Sequence, residues 1–371
     1  MAWSVVGTAI CFSSQVLAGD DPWLGQTVML KETPKPQVGT RLVRWNDVGL
    51  PAVVEQVKGD WLWLGVAWAK KSDALLLDDA PAYYTKLINS GTNQVVGYML
   101  RGMTWDAKHE YDNAIKDYTA ALRFEPNNAF FYYLRGSTLY SKRSYDAALA
   151  DLNEAIRLDP THIFAMNNRG EVLNAKGELN KALRQFNEIL RLDPRNALAY
   201  HNRGGTWYDM KEYQKCFEDL NRAIQLDPKL AVAYANRGRW YMRHGVYTKA
   251  LDDYKKSIEL APREWLPYHG LANLYATAPV FEAHLRDGKQ ALALAQKACE
   301  LSQWDEWLPM TSLAAAYAEL GNFEEAVKWQ TKAMAMMPPR ERGNAGNQKQ
   351  LELYKSGRPY YEEVPRGSDP G

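Results

Sequence analysis

Three asparagines, Asn168, Asn202 and Asn236, recur at a step of 34 residues. A side-chain amide offers two N–H donors and a carbonyl acceptor, so a regular row of amides is able to hydrogen-bond the backbone of an extended peptide. The same amides are equally able to satisfy the turns beside them. The spacing therefore predicts either a peptide-binding row or local structural hydrogen bonds, and it leaves both interpretations open.

Arginines follow the same step, each directly before a glycine, at Arg101, Arg135, Arg169, Arg203 and Arg237. We expect these arginines to be structural, because a guanidinium can bridge adjacent units while its stem covers apolar surface. A different pair, Arg239 and Arg243, lies one helical turn apart. That pair is suited to receive an acidic side chain of a partner.

No enzyme motif is found in the sequence. It lacks a nucleophile elbow, a phosphate-binding P-loop, a zinc-binding His-Glu-x-x-His and a glycine-rich dinucleotide loop. The six histidines are dispersed, without the i,i+4 spacing that places two metal ligands on one helix face, and the three cysteines form no paired motif. We therefore predict that the protein is not an enzyme and has no catalytic residues, no cofactor and no bound metal.

Composition excludes several classes of protein. The 371 residues include 45 Lys and Arg against 44 Asp and Glu, a net charge of +1. Nucleic-acid binders need a cationic excess, so we predict no nucleic-acid partner. No apolar run beyond the N-terminal leader approaches the roughly 20 residues of a membrane helix, which predicts no transmembrane segment.

Two further series keep the 34-residue step. Prolines recur at Pro126, Pro160, Pro194, Pro228 and Pro262, and small residues at Ala114, Ala148, Ala182, Cys216 and Ala250. Proline ends a helix, and a small residue lets two helices approach closely without overpacking. Each unit is thus predicted to be a pair of helices. One pair cannot bury its apolar face alone, so the units must stack on one another.

These series resemble the tetratricopeptide repeat family. One unit places Tyr200, Arg203-Gly204, Trp207, Tyr213, Cys216, Leu220, Ala223 and Pro228 at the family's positions. The resemblance implies a mainly α fold, an α-solenoid whose helix pairs form a right-handed superhelix over residues 95–340. The units are 95–128, 129–162, 163–196, 197–230 and 231–264, then an atypical unit with an insertion at 265–306, and a last unit at 307–340. In the atypical unit the helices are predicted at 265–277 and 288–301, with a loop between them. Residues 341–371 are predicted to form a capping helix and a loose tail.

In family members that bind peptides, the exposed faces of the first helices line a concave groove. The resemblance therefore implies a protein or peptide partner and a set of groove residues. In the second unit these are Phe130, Tyr133, Ser137 and Tyr140. The fourth unit gives Leu198, His201, Asn202 and Tyr208, and the fifth gives Val232, Asn236, Arg239, Met242 and Arg243. In the third unit the set is Phe164, Asn167, Asn168, Glu171 and Asn174.

Residues 22–75 show a different pattern, an alternation of period two that is clearest in Trp61-Leu62-Trp63-Leu64. Lys58-Gly59-Asp60 predicts a hairpin turn, and about five short strands are expected. They are 26–30, 41–45, 53–57, 61–64 and 66–68. This segment resembles a small SH3-like β-barrel. Trp61 and Trp63 share one strand face and are a candidate second ligand surface, with packing in the barrel core as the alternative. Residues 76–94 are expected to link the barrel to the first repeat through a helix at Asp79–Ile88.

The first 18 residues resemble a secretory signal peptide, with an apolar run and Val16-x-Ala18 at the cleavage spacing, although no Lys or Arg precedes the run. A cleaved leader predicts export to the periplasm or cell envelope, and an uncleaved one predicts a cytoplasmic protein. We therefore predict an exported bacterial adaptor, a non-enzymatic scaffold that binds peptide or protein segments in its groove. The alternative is a cell-envelope binder whose SH3-like domain recognises peptidoglycan or another glycan, with the repeats as a spacer.

Overall fold

The computed structural model describes residues 22–23, 25–31, 37–38, 41–42, 50–64, 68–337 and 344–362. The predicted leader at 1–18 lies outside these residues, as do Val66, Ala67 and the second half of the strand predicted at Arg41–Trp45. The chain divides into two compact units, one up to Met210 and one from Lys211 onward. Each unit is described by itself.

The first unit begins with short strands in two antiparallel sheets. The strands are β1 (Thr27–Leu30), β2 (Gln37–Val38), β3 (Arg41–Leu42), β4 (Ala52–Val53), β5 (Gln56–Lys58), β6 (Trp61–Trp63), β7 (Trp68–Lys70) and β8 (Ala74–Leu76). The sheet orders are β4-β1-β8 and β3-β2-β7-β6-β5. Lys58 pairs with Trp61 across β5 and β6, so Gly59 and Asp60 form the predicted turn. Gly59 has a φ of +59°, which glycine adopts without a steric penalty.

Two features of this β region differ from the sequence-based expectation. The single strand expected over Val53–Val57 is split into β4 and β5, which belong to different sheets. Strand β8 was not expected, and it pairs with β1 along its whole length. The described strands thus form a small β region ahead of the helices, as predicted, while the resemblance to an SH3-like barrel stays a prediction.

The β region packs against the helices that follow it in the first unit. Tyr84, on helix α1 (Ala80–Asn89), is fully buried and donates its hydroxyl hydrogen to the Leu30 carbonyl at 2.7 Å. One continuous hydrophobic core extends from Val28 in β1 to Val172 in the third repeat. Apolar side chains of the sheets and of the first repeats therefore stabilise one another.

Helical pairs make up the remainder of the first unit. Its helices are α2 (Gln94–Ala107), α3 (Tyr111–Phe124), α4 (Ala129–Ser141), α5 (Tyr145–Leu158), α6 (Ile163–Ala175), α7 (Leu179–Leu192) and α8 (Ala197–Asp209). The three-residue turn between α2 and α3 makes them an antiparallel hairpin. Gly170 shows why the first helix needs glycine, because a Cβ there would lie 2.5 Å from Cζ of Phe186 on the second helix.

The second unit continues the same arrangement. Its helices are α9 (Tyr213–Leu226), α10 (Ala231–Arg243), α11 (Tyr247–Leu260), α12 (Trp265–Thr277), α13 (Gly288–Leu301), α14 (Trp307–Glu319), α15 (Phe323–Met336) and α16 (Ala345–Lys355). The bounds predicted for α12 and α13 are confirmed. The insertion between them contains a 3₁₀ helix at Val280–Leu285 where a loop was predicted. The predicted fold class, helical-pair repeats preceded by a small β region, is confirmed.

Four residues of the predicted tail, 359–362, lie within the described part of the chain. Residues 359–362 pack on the second unit: Tyr360 contacts the cluster around Tyr354, and the Glu362 amide donates to the Thr277 carbonyl at 2.9 Å. Composition suggested a solvated tail, but the contacts that hold these residues come from distant parts of the chain.

Candidate functional site

The repeated arginines bridge helices, as expected for a structural role. Arg135 on α4 donates through Nε and Nη2 to both carboxylate oxygens of Asp151 on α5, at 2.7 and 2.8 Å. Its Nη1 donates to Thr119 on α3 at 3.0 Å. Arg135 therefore joins the second helix of its own repeat to the second helix of the preceding repeat, and its Nε, Nη1 and Nη2 atoms donate to structural partners.

Helices α4, α6 and α8 are the first helices of successive repeats, and α6 contacts both of the others. Asn202 on α8 crosses this contact: its Nδ2 donates to Glu171 at 3.0 Å and reaches Asn167 at 3.5 Å, both on α6. Its Oδ1 accepts from Nδ1 of His201 at 2.9 Å. Asn202 is thus fixed by a polar network between two first helices, while its predicted contact with a peptide stays a prediction.

Glu171 lies at the centre of this network and is partly buried. Burial raises the pKa of its carboxyl to about 7, and the hydrogen bond from Asn202 opposes that rise. Tyr140 on α4 lies close enough for Glu171 to raise its pKa further, in addition to the effect of burial. Two predicted groove residues, Tyr140 and Asn202, are therefore brought together on either side of a carboxyl that titrates near neutral pH.

Two more amides of α6 belong to the same helix. Asn174 is partly buried, and its Oδ1 is shielded from solvent without a hydrogen-bond donor in the described part of the chain. Asn168 is partly buried, and its amide makes no hydrogen bond to any described residue. Asn167, Glu171 and Asn174 follow i, i+4, i+7 spacing, which places them on one helix face. We call Tyr140, Asn168, Glu171, Asn174 and Asn202 the first-helix face.

Tyr133 does not lie on an open surface, although the resemblance placed it in the groove. Only 1% of its side chain is exposed. Its ring centroid lies 5.0 Å from His162, 6.0 Å from Phe130 and 6.3 Å from Phe164. Aromatic side chains at the start of the next repeat cover its ring. Tyr133 therefore packs beneath the surface residues and is not itself exposed. Tyr208, by contrast, is partly buried on the last turn of α8.

The remaining predicted groove residues belong to the second unit, on α10. Asn236 is partly buried, whereas Arg239 and Arg243 are exposed. The positive charge of Arg239 lowers the pKa of His269, which burial already depresses, to about 4. Arg243 lies over the ring of Tyr213, 4.4 Å from its centroid, and its charge also acts on the carboxyl of Glu362. For Arg243, an acidic neighbour is therefore supplied by the chain itself.

Trp61 and Trp63 lie on one face of β6, opposite the fully buried Leu62. Both rings are partly buried. Trp63 packs on Trp68 at 5.4 Å between centroids, and Nζ of Lys70 lies 5.6 Å from the centroid of Trp61. The predicted pair thus forms an aromatic surface with one cation beside it, and its use as a ligand site stays a prediction.

Metal sites, thiols and membrane spans are considered next only for the residues that the structure describes. No group of three or more His, Cys, Asp or Glu side chains in that part of the chain is arranged to hold a metal ion. Cys216 and Cys299 are buried free thiols. None of the helices in the described ranges has both the length and the apolar character of a membrane span.

Sequence comparison matches three segments to models of the tetratricopeptide repeat, at residues 106–163, 197–230 and 310–337. No curated protein is similar enough in sequence to count as a match.

Several solved structures resemble the chain. The Cut9 and Hcn1 subcomplex of APC/C is 14% identical over 75% of this chain and 52% of its own, with a TM-score of 0.58, which shows a shared fold. A tetratricopeptide repeat protein from Parabacteroides merdae is 20% identical over 74% of this chain and 99% of its own, with a TM-score of 0.49. MamA from Desulfovibrio magneticus RS-1 is 20% identical over 49% of this chain and 95% of its own, with a TM-score of 0.37.

Proposed function

We propose, from the premise that this chain is a tetratricopeptide-repeat protein, that it is a protein-interaction scaffold that binds an extended segment of a partner on its first-helix face. Stacked helical pairs offer such a segment a long, preformed surface. The first-helix face lies on α4, α6 and α8 of the first unit, so one compact body supplies every contact.

The observation that carries this proposal is the unsatisfied carbonyl oxygen of Asn174. A buried polar atom without a partner costs free energy, and such atoms are rare in folded proteins. The Oδ1 atom of Asn174 has no donor among the described residues, yet it lies on the helix face that carries the Glu171 network. Because this oxygen is shielded from solvent, a rotation of the Asn174 side chain must accompany binding, and a backbone N–H of the bound peptide would then satisfy it.

The neighbouring groups extend this interaction along a peptide. Asn168 carries an amide with both donors and acceptor available, and an amide of this kind matches the alternating N–H and C=O groups of an extended backbone. The ring of Tyr140 offers an apolar wall for one ligand side chain. Asn202, held by Glu171 and His201, keeps the two first helices in place, so the surface is preorganised and less entropy is lost on binding.

The test is to select peptides from a random phage-displayed library on the full chain and to measure the affinity of an enriched peptide by calorimetry. We expect replacement of Asn168 and Asn174 by alanine to weaken binding at least tenfold, because backbone hydrogen bonds are lost. The matched control is Asn180→Ala, an exposed asparagine on α7 of the same repeat. Enriched peptides that bind the double variant and the wild-type chain equally would place the site elsewhere.

We also propose, from the leader alone, that the protein is exported. N-terminal sequencing of the protein from the culture medium and from the cell-envelope fraction tests this, and a chain that begins at Met1 in the soluble fraction counts against it. The cell-envelope alternative has one supporting feature, the partly exposed pair Trp61 and Trp63. Because the β region shares a core with the repeats, binding to isolated cell wall is measured with the full chain. The Trp61→Ala variant is the comparison.

A further inference from the structure

The described end of the tail forms a strap across one edge of the second unit. We define the tail strap as residues 359–362. One backbone hydrogen bond, from the Glu362 amide to the Thr277 carbonyl at the end of α12, fixes its far end. Tyr360 packs beside the buried ring of Tyr354 on α16 and fixes its near end. Both aromatic side chains and the carboxylate of the strap are only partly buried.

The middle of the strap contacts the insertion. The guanidinium carbon of Arg286 lies 4.1 Å from the ring centroid of Tyr361, which is a close cation–π contact. The Tyr361 hydroxyl lies close enough to the Glu319 carboxylate, at the end of α14, that the carboxylate helps burial to raise the pKa of Tyr361. The repeat series contains no counterpart of Arg286, because this residue belongs to the stretch that makes the sixth unit longer than the others.

Arg286 is nevertheless poorly satisfied. Its Nε lies 3.7 Å from Oε1 of Glu319, which is too far for a hydrogen bond. Among the described residues, Nε and Nη1 of Arg286 and Oε2 of Glu319 are shielded from solvent and have no hydrogen-bond partner. Nε–H and Nη1–H lie on opposite sides of the guanidinium, so a single carboxylate oxygen can accept a charge-assisted hydrogen bond from either one of them.

The carboxylate that the strap does supply is in an unfavourable place. Glu362 feels the attraction of Arg243, but burial dominates and raises its pKa to about 7. Tyr247, at the start of α11, has its pKa raised to about 12 by burial and by the charges of Glu362 and Glu282. The strap thus places the ring of Tyr361 on Arg286. The carboxylate of Glu362, by contrast, lies where the charge of Arg243 offsets only part of the cost of its burial.

We propose that this edge, the strap site formed by Arg243, Thr277, Arg286 and Glu319, is a second binding site for an extended peptide segment that carries a tyrosine next to a carboxylate residue, and that the tail strap is its internal competitor. This site belongs to the second unit and does not depend on the first-helix face. A partner segment that places its tyrosine over Arg286 and its carboxylate on Nε or Nη1 makes a hydrogen bond that the strap leaves unmade.

The strap determines how tightly such a partner must bind the open site. A tethered segment competes at an effective concentration of about millimolar, so a partner in solution must bind the open site much more tightly than the strap does. Removal of the strap therefore lowers the dissociation constant that is measured for a peptide of the same chemistry.

The experiment uses a fluorescein-labelled peptide with the sequence of residues 357–362, Gly-Arg-Pro-Tyr-Tyr-Glu, and an amidated C-terminus, so that glutamate supplies its only carboxylate. Fluorescence anisotropy gives its affinity for the full chain and for the chain that ends at Arg358. We expect at least tenfold tighter binding to the shortened chain. In that shortened chain Arg286→Ala should weaken binding at least tenfold, whereas Arg222→Ala, an exposed arginine on α9, should leave it unchanged.

Equal affinity for the full and shortened chains, or indifference to Arg286→Ala, overturns the proposal. Because Tyr360 contributes to packing at Tyr354, the shortened chain is first compared with the wild type by thermal unfolding. If the shortened chain unfolds at a lower temperature than wild type, the full chain with Tyr361→Ala and Glu362→Ala is used instead. That variant keeps Tyr360. Asn174→Ala, in the first unit, should not change the affinity of the labelled peptide. The proposal of the strap site and the proposal of the first-helix face can therefore fail independently.

Discussion

Nε of Arg169 donates to Oε1 of Gln185 at 2.8 Å, at the repeat position where Arg135 meets the carboxylate of Asp151. Nη2 of Arg169 reaches the same Gln185 oxygen. The third repeat therefore has a neutral partner for its bridging arginine. Burial lowers the pKa of Arg169, whereas the hydrogen bond that Arg135 donates to Asp151 raises the pKa of Arg135. Gln185 is 5% exposed, and its Nε2 has no hydrogen-bond partner in the described ranges.

Replacing Gln185→Asp should stabilise the chain. The carboxylate would pair with Arg169 as in the second repeat, and the orphaned amide group would be removed, which together are worth about 1 kcal/mol in the free energy of unfolding. Urea denaturation measures the change. Gln185→Asn shortens the side chain as Gln185→Asp does but adds no charge. The difference between the two variants therefore measures the effect of the charge. A Gln185→Asp chain no more stable than wild type would show that the neutral partner is already optimal.

Gly170→Ala should destabilise the chain by about 1 to 3 kcal/mol, because the added methyl group overpacks the contact between α6 and α7. Its Cβ would lie 2.5 Å from Cζ of Phe186, a side chain that is 1% exposed. Gly205→Ala is the matched control, since nothing lies within 4 Å of a Cβ at that position on α8. In a helix that change should stabilise by up to about 1 kcal/mol. Thermal unfolding of both variants gives the comparison, and equal shifts would contradict it.

Tyr84→Phe should loosen the β region. The change removes the buried hydrogen bond to the Leu30 carbonyl at a cost of about 1 to 2 kcal/mol. Hydrogen exchange should become faster for the amides of β1. Tyr98→Phe on α2 is the control, because its hydroxyl makes no hydrogen bond to any residue that the structure describes. Unchanged protection of β1 would mean that the shared hydrophobic core alone attaches the sheets.

Stability should depend on pH through Glu171. Its pKa is about 7 in the folded chain against an ordinary value of 4.5. Between these values the folded chain holds a proton that the unfolded chain releases, so the contribution of Glu171 to stability is fully present below pH 4.5 and is lost as the pH rises through 7. We expect the free energy of unfolding of wild type, minus that of Glu171→Gln, to fall across this range.

The control for the pH measurement is Glu178→Gln. A hydrogen bond with Lys181 lowers the pKa of Glu178, so its effect is confined to pH values below about 4.5 and should be flat from pH 5 to 8. Parallel pH profiles for wild type and Glu171→Gln would exclude Glu171 as the titrating group.

The helices were predictable because three residue series share one period. Arg-Gly pairs, small residues and prolines mark the first helix, the close contact and the helix end in each repeat, so even the irregular α12 and α13 were placed correctly. Contacts between repeats were less accessible to prediction. Tyr133 is buried because His162 and Phe164 of the next repeat cover its ring, and no pattern within one repeat contains that information.

The site was predictable in part. The family positions led to Tyr140, Asn168 and Asn202, and the i, i+4, i+7 spacing of Asn167, Glu171 and Asn174 was visible in the sequence as a polar stripe on α6. The shifted pKa of Glu171 and the open acceptor of Asn174 depend on burial between helices, which spacing does not reveal. The tail strap was missed for a related reason, since its partners Thr277 and Arg286 are more than 70 residues away in the sequence.

The bridging arginines also bear on how such a chain can change its length during evolution. Arg135 reaches Thr119 and Asp151, 16 residues before and after it, and Arg237 reaches Asn221 and Asp253 at the same separations. All the partners of one arginine therefore lie within a window shorter than two repeats. Duplication or deletion of a whole 34-residue unit leaves every such window intact, so the gene can gain or lose repeats by recombination without inventing a new set of contacts.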